Sequence, residues 1–410
     1  MLQSTVCTYY KEDEEAEGHA TCWIQVCGGK GQASRRVSVP WNGVGARTYS
    51  QAPAHDPFKI LYLGRDEFSC SVLEELLKAK DVWQELAIVT TPDTRVGRRG
   101  EELAVSPLKV FGQQLDLPVH FIPLGKGKDV LKTWQLPPPW SLQGATPSPS
   151  HIIVTASFGR ILPNSVLDLF LPNRRLNVHP SLLPAYRGAA PIQHVILDGQ
   201  KETGVCIVEM MERAKGLDAG AIWGQEQVAV PKDATYANLR DTLAPVGGRL
   251  LVSVLRDMLS GKATSKPQAE DPTTPRAPLI NLEDAVIDFE SMTAEQIARR
   301  SRAISHQRPV VTSLKNRRTL QLHSVTAVTD AADVLEEQLT TVGTAIYHRP
   351  TGSLLVRCAS DTVLSVQKVK QQDRNLLAAR EWWNGVRPGL RQVEGDTGPV
   401  LFLRPPVGPS

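Results

Sequence analysis

Apolar and polar positions recur along this chain with two different periods. Residues Phe58-Lys59-Ile60-Leu61-Tyr62-Leu63 form a short apolar run that stops at Gly64, and Phe68, Val72, Leu73, Leu76 and Leu77 follow at helical spacing. A strand, a tight turn and a helix in that order open a βαβ unit. The alternation continues with a strand over 85–91, a helix over 106–115, and strands over 117–123 and 151–156. A helix over about 163–169, a strand at 176–179, a helix over about 191–197, strands over 203–210 and 221–230, and a long amphipathic helix over 236–259 complete the series. Such alternation predicts an α/β domain over 58–260, built on a Rossmann-like, doubly wound parallel sheet. The turn at Gly64 lacks GxGxxG, so there is no dinucleotide fingerprint.

Two stretches interrupt the pattern. Residues 124–150 are rich in Pro, Ser, Gly and Lys and read as a surface insertion, and 261–280 are polar and proline-rich, as a linker is. Beyond the linker a helix over 293–304 precedes short alternating segments at 310–314, 320–328, 342–348, 354–358 and 363–369. Short strands joined by polar turns predict a small OB-like β-barrel over 281–410, ending in a disordered tail.

Composition narrows the picture. The 410 residues, 41% of them hydrophobic, suffice for two domains, each with a core. Lys and Arg number 46 against 43 Asp and Glu, a formal charge of +3, which excludes a uniformly basic nucleic-acid-coating protein but leaves room for a local basic loop. No apolar run reaches the roughly 18–20 uncharged residues of a membrane helix. The six cysteines show no paired CxxC spacing, so they read as reduced thiols and no metal is expected. Residues 11–17 are acidic, whereas 18–55 carry Lys30, Arg35, Arg36 and Arg47 without one Asp or Glu. Residues 1–57 therefore read as a mitochondrial transit peptide or a disordered extension.

The candidate chemistry lies at the end of the 176–179 strand. Its two-residue period puts Asn177 and His179 on one face, at the carboxyl end where open α/β sheets hold their ligands. About forty residues on, Asp218 sits in the glycine-flanked loop Gly216-Leu217-Asp218-Ala219-Gly220. Brought to one mouth, the three make an acyl-transfer site with no protein nucleophile. Asn177 would donate to an oxyanion, His179 would donate or shuttle a proton, and Asp218 would hold and polarise the imidazole.

The string NVHPSLLPAYRGAAPI from Asn177 onward, with TGVCIVEM from Thr203 and GLDAG from Gly216, resembles the folate-dependent formyltransferases, and within them the methionyl-tRNA formyltransferases. ILYLGRDEF from Ile60, TPDTRVGRRGEELAVSPLK from Thr91 and FGRILP from Phe158 extend the resemblance over about residues 60–405. It implies transfer of the formyl group of 10-formyltetrahydrofolate to the α-amino group of initiator methionyl-tRNA, by a monomer in the mitochondrial matrix or, alternatively, the cytoplasm. Substrate or folate would meet Phe158, Gly159, Ile161, Leu162, Ser181, Leu182, Leu183, Pro184, Arg187 and Gly188. Transfer RNA would meet the loop with Arg95, Arg98 and Arg99, and the basic turn with Lys315, Arg317 and Arg318. The chain departs from the family pattern at Glu101 and Glu102, where lysines are frequent; the candidate cations are few and the net charge is only +3, so salt should weaken RNA binding with a shallow slope. Two other readings stay open: a related 10-formyltetrahydrofolate-dependent transferase or hydrolase with a small-molecule acceptor, and a non-catalytic RNA-binding relative. Trp382 and Trp383 either stack on a base or pack the last helix on the barrel.

Overall fold

The computed structural model describes residues 56–96, 100–125, 130–141, 146–269, 271–329, 339–392 and 398–406. The expected 1–57 extension, apart from its last two residues, lies outside this set, as do Arg98, Arg99 and the last four residues. No helix among the described residues is long and apolar enough to cross a membrane.

The first strand, β1 (Phe58–Leu63), is apolar on both sides because both are covered. Ile60 and Tyr62 join one core with Val72, Leu73 and Leu76 of α1 (Glu67–Lys78), while Leu61 and Leu63 join a second with Ile153 and Phe170. Gly64 turns the chain between strand and helix. A Cβ there would lie 2.4 Å from the Ser69 Cβ and 2.9 Å from the Ala156 carbonyl oxygen, so any larger residue would push the turn off the sheet. Asp66 then caps α1, accepting from the Ser69 amide at 3.2 Å, a contact that contributes about 1 kcal/mol.

Chain order continues with β2 (Trp83–Thr90), the hairpin β3 (Thr94–Val96) and β4 (Glu102–Ala104), α2 (Pro107–Gln114), β5 (Val119–Phe121), β6 (His151–Ala156), α3 (Asn164–Leu167) and β7 (Arg175–His179). A two-residue strand β8 (Arg187–Gly188), α4 (Pro191–Leu197), β9 (Glu202–Glu209), β10 (Ile222–Ala229) and the 24-residue α5 (Tyr236–Leu259) complete the domain. The sheet runs β5-β2-β1-β6-β7-β9-β10. The chain works outward from β1 on one side, then returns to fill the other, so the strand order reverses between β1 and β6. The first five strands are parallel, as expected, but β9 is antiparallel to both β7 and β10. The sheet is therefore mixed rather than wholly parallel, and β9 and β10 are joined by a loop with one 3-10 turn, Arg213–Lys215, in place of a crossover helix. Helices α1, α4 and α5 cover one face. On the other, Leu131, Leu136 and Trp140 join Phe158, Leu162 and Phe170, so part of the 124–150 stretch is core rather than surface insertion. The Trp140 indole donates to the Lys59 carbonyl at 3.2 Å.

After the linker strand β11 (Arg276–Ala277) come α6 (Ala294–Ile304), β12 (Val310–Ser313), β13 (Thr319–Val328), β14 (Thr344–His348), β15 (Ser353–Cys358), β16 (Thr362–Gln371), β17 (Leu376–Ala378), a short helix over Ala379–Asn384, and β18 (Val400–Leu401). Their antiparallel sheet, β12-β13-β16-β15-β14-β18, curls into an OB-like half-barrel. Its two edges meet on one stretch of chain: Val400 and Leu401 pair with β14, and Leu403 exchanges two main-chain bonds of 2.8 Å with Ser313 of β12. Trp382 is buried in this core with Phe402 and Val366, which places it as packing and not as a stacking platform. The barrel also meets the first domain: Arg299 donates to the Leu197 carbonyl at 3.0 Å, and the rings of Tyr236 and His306 stack 3.7 Å apart.

Candidate active site

Register decides which side chains share a face. Strands β6 and β7 pair Thr155 with Asn177, and β7 pairs His179 with Cys206 of β9. Leu176 and Val178 of β7 enter the helix-covered core, so the alternating Asn177 and His179 lie on the opposite face. The Thr155 hydroxyl donates to the Asn177 Oδ1 at 2.8 Å. That commits the amide nitrogen to the other side, where Nδ2 lies 3.4 Å from Oδ1 of Asp218.

His179 is 3% exposed and is fixed by a main-chain group rather than by a carboxylate. Its Nε2 donates to the Tyr186 carbonyl at 3.1 Å, an oxygen that only accepts, so Nε2 carries a hydrogen. Nδ1 is left to gain or lose the proton and faces Oδ2 of Asp218 at 3.7 Å. Asp218, expected from the sequence to hold the ring, stands across a gap longer than a hydrogen bond and supplies charge, while the Tyr186 carbonyl holds the ring. Tyr186 has φ +61°, a left-handed backbone that turns its carbonyl, and it is pinned by its amide on the Pro275 carbonyl (2.7 Å) and its hydroxyl on Asp198 (2.9 Å).

Asp218 arrives from the loop between β9 and β10. Its Oδ2 accepts from the Gly188 amide at 3.1 Å, and its own backbone is left-handed, φ +54°. Gln268, which nothing in the sequence marked, donates through Nε2 to the Asp218 carbonyl at 2.8 Å and the Gly220 carbonyl at 2.7 Å, and accepts from Nε of Arg187 at 2.8 Å. Three segments distant in sequence thus bring amide, imidazole and carboxylate to one place.

The other expected site residues divide by exposure. Gly159 and Ile161 are exposed beside the β6 end, whereas Phe158 and Leu162 are buried in the second core. Leu182, Pro184 and Gly188 are half-buried. Ser181 and Leu183 offer a ligand no side-chain surface: the Ser181 hydroxyl is spent on the Ala185 carbonyl at 2.8 Å, and Leu183 packs with Cys206 and Val208. Both shape the loop. Arg187 is buried against Gln268. Burial pushes the Cys206 thiol up to about 12, so it stays protonated at neutral pH and is no thiolate nucleophile.

Arg95 is exposed on β3. Lys315, Arg317 and Arg318 occupy the exposed turn between β12 and β13. Arg318 also lines a cleft of about 240 Å³ with Arg374 and Arg387, two cations the sequence reading did not single out. Nearby on β13 and β16, burial first and then the charges of Lys370 and Lys368 hold the His323 imidazole below its usual pKa. Glu381 lines the same cleft, and strand alternation puts Lys368, Lys370 and His323 on the sheet face opposite the cleft-lining Gln371.

Residues 58–255 match a family model described as formyl transferase, and 279–387 match one described as formyl transferase, C-terminal domain. The chain is 31% identical over 374 residues to methionyl-tRNA formyltransferase, mitochondrial, of Rattus norvegicus, covering 89% of this chain and 88% of that protein. It is 32% identical over 340 residues to methionyl-tRNA formyltransferase of Enterococcus faecalis, covering 82% and 98%. Among solved structures, an N-formyltransferase from Helicobacter canadensis in complex with folinic acid and dTDP-3-aminofucose superposes with a TM-score of 0.51 at 16% identity, over 75% of this chain and 98% of that one. At that identity the likeness is one of fold.

Proposed function

Because this chain belongs to the formyl transferase family, we propose that it moves the formyl group of 10-formyltetrahydrofolate to the α-amino group of methionyl-tRNA, for translation initiation. The observation that carries the chemistry is the convergence of Asn177, His179 and Asp218 with no Ser or Cys nucleophile among them. The acceptor amine is its own nucleophile. An α-amino group titrates near about 7.7–8.0 in model compounds, so a useful fraction is free base at neutral pH. Attack on the formyl carbon forms the new C–N bond and puts negative charge on the formyl oxygen, which the Asn177 amide and a protonated His179 would meet. The bond to the folate nitrogen then breaks, that nitrogen keeping the electron pair. The amine loses a proton and the folate nitrogen gains one; Asp218 and Nδ1 of His179 are the groups placed to pass it.

For the acceptor, support comes from the sequence relatives, which carry the methionyl-tRNA name and match through the barrel as well, and from Arg318, Arg374 and Arg387 at the barrel cleft. A small amine such as an amino sugar is the competing acceptor, favoured by the fold shared with N-formyltransferases acting on nucleotide sugars. Purified protein given 10-formyltetrahydrofolate with either charged initiator tRNA or an amino-sugar nucleotide separates the two; formyl transfer to the sugar alone would sink the tRNA reading. Arg318→Glu with Arg387→Glu should raise KM for methionyl-tRNA severalfold, by about tenfold at low salt and less as salt rises, with kcat held. A small-molecule acceptor would be indifferent to both changes. The proposed location is the mitochondrial matrix, supported by the basic, acid-free composition of residues 18–55. A reporter fused behind residues 1–57 that stayed wholly cytosolic would rule this out.

A further inference from the structure

The linker is not a loose tether. Lys266 exchanges two main-chain hydrogen bonds with Ile222, of 2.8 and 2.9 Å, at the start of β10. Arg276 and Ala277 pair in parallel with Arg187 and Gly188, and the Ala277 carbonyl accepts from the Ala190 amide at 3.1 Å. One seam thus holds the strand that leaves the Asp218 loop and the other holds the signature loop that follows His179. Gln268 lies between the seams and bonds to both loops at once, through Nε2 to Asp218 and Gly220 and through Oε1 to Arg187.

We propose that Gln268 is a positioning residue for formyl transfer: it fixes the main chain at Asp218 and thereby aims the carboxylate at His179 and Asn177. Asp218 needs such a hold. A non-glycine residue keeps φ near +54° only where its surroundings impose it, and the loop around it has exposed residues on its approach, Arg213 to Gly216. The role also demands glutamine's chemistry. One end must offer two N–H groups to two carbonyl oxygens, and the other must accept from a guanidinium. Glutamate would serve Arg187 but would set a carboxylate oxygen against both carbonyls, and asparagine is one methylene short.

The proposal rests on the catalytic reading of Asn177, His179 and Asp218, and the test keeps the two apart. Full-length wild type, Gln268→Ala and Gln268→Glu are compared for thermal midpoint, for kcat and acceptor KM, and for the rate at which trypsin cuts after Arg213 and Lys215, in the approach to Asp218. Both variants should lose about 10- to 100-fold in kcat, with acceptor KM within about twofold, because misplacing a reacting group by an ångström costs that much. Their thermal midpoints should stay near wild type, and trypsin should cut the loop faster. Near-normal kcat in Gln268→Glu would overturn the proposal, since a side chain that merely fills space tolerates that change. So would a kcat loss that only follows a lowered midpoint, or an unchanged rate of cleavage. If wild type formylates neither acceptor, the catalytic reading fails by itself, and the trypsin rate still reports whether Gln268 fixes the loop.

Discussion

His179→Ala is expected to lower kcat for formyl transfer by about 100- to 10,000-fold, the range over which a positioned proton donor or acceptor acts. The ring is the group whose Nδ1 faces the Asp218 carboxylate, and no other imidazole or amine among the residues described at the β7 end replaces it. Asn177 keeps its own hydrogen bond from Thr155, and Asp218 keeps the Gly188 amide and Gln268, so the rest of the site should persist. The fold does lose something. The Tyr186 carbonyl gives up its partner in a buried place, which costs about 1–3 kcal/mol. Steady-state rates beside a thermal melt would distinguish the two effects: a large fall in kcat with a modest fall in midpoint. A variant that kept most of its rate would remove His179 from the mechanism.

Gly188→Ala should be strongly damaging for a single-methyl change, because strain and clash act together there. Gly188 has φ +131°, a backbone conformation that L-residues avoid, and an added Cβ would stand 2.3 Å from the Ala277 carbonyl oxygen and 2.8 Å from its carbon. Strain of the first kind alone costs about 1–3 kcal/mol, before the clash is counted. The clash has no cheap relief because it is with main chain; Ala277→Gly in the same protein should not rescue it. The Gly188 amide is also a hydrogen-bond donor to Asp218, so moving this strand draws the carboxylate away from His179. Expected are a clearly lowered thermal midpoint and a fall in kcat together. A midpoint equal to wild type would mean that β8 and β11 part without cost, contrary to this geometry.

The elements built on strong periodicity were legible in the sequence. β1, α1 and α5 announce themselves because a covered strand is continuously apolar and a helix packed on a sheet shows its apolar face every three or four residues. The direction of β9 was not legible, since a strand buried between neighbours reads the same whichever way it runs. The β3–β4 hairpin was missed because all six of its residues are exposed and carry no alternation to detect. Residues 124–150 misled through composition: Leu131, Leu136 and Trp140, with the partly buried Trp134, do the packing, and a few apolar residues are lost among so many Pro, Ser and Gly. In the site, Asn177 and His179 followed from strand spacing and Asp218 from its glycine-flanked loop. The Tyr186 carbonyl left no trace, since every residue has a carbonyl and only a left-handed φ distinguishes this one. Gln268 lay in a segment whose polar, proline-rich character points only to a linker.

The stitching of residues 266–277 across the first domain changes where that domain ends for anyone recombining these proteins. Composition suggests a joint at Ser260, where α5 stops. A chimera cut there would exchange Gln268 and the Arg276–Ala277 ladder along with the barrel, leaving the recipient's Asp218 and Gly188 to meet a foreign strap. The spacing between Gln268 and Arg276 is likewise constrained at both ends, so extra residues there would have to bulge outward. Past Pro278, whose carbonyl still accepts from His194, Leu279 and Leu282 stand open to solvent, but Ile280 between them is buried in the first domain's core, so a joint placed there has to keep Ile280 with that domain.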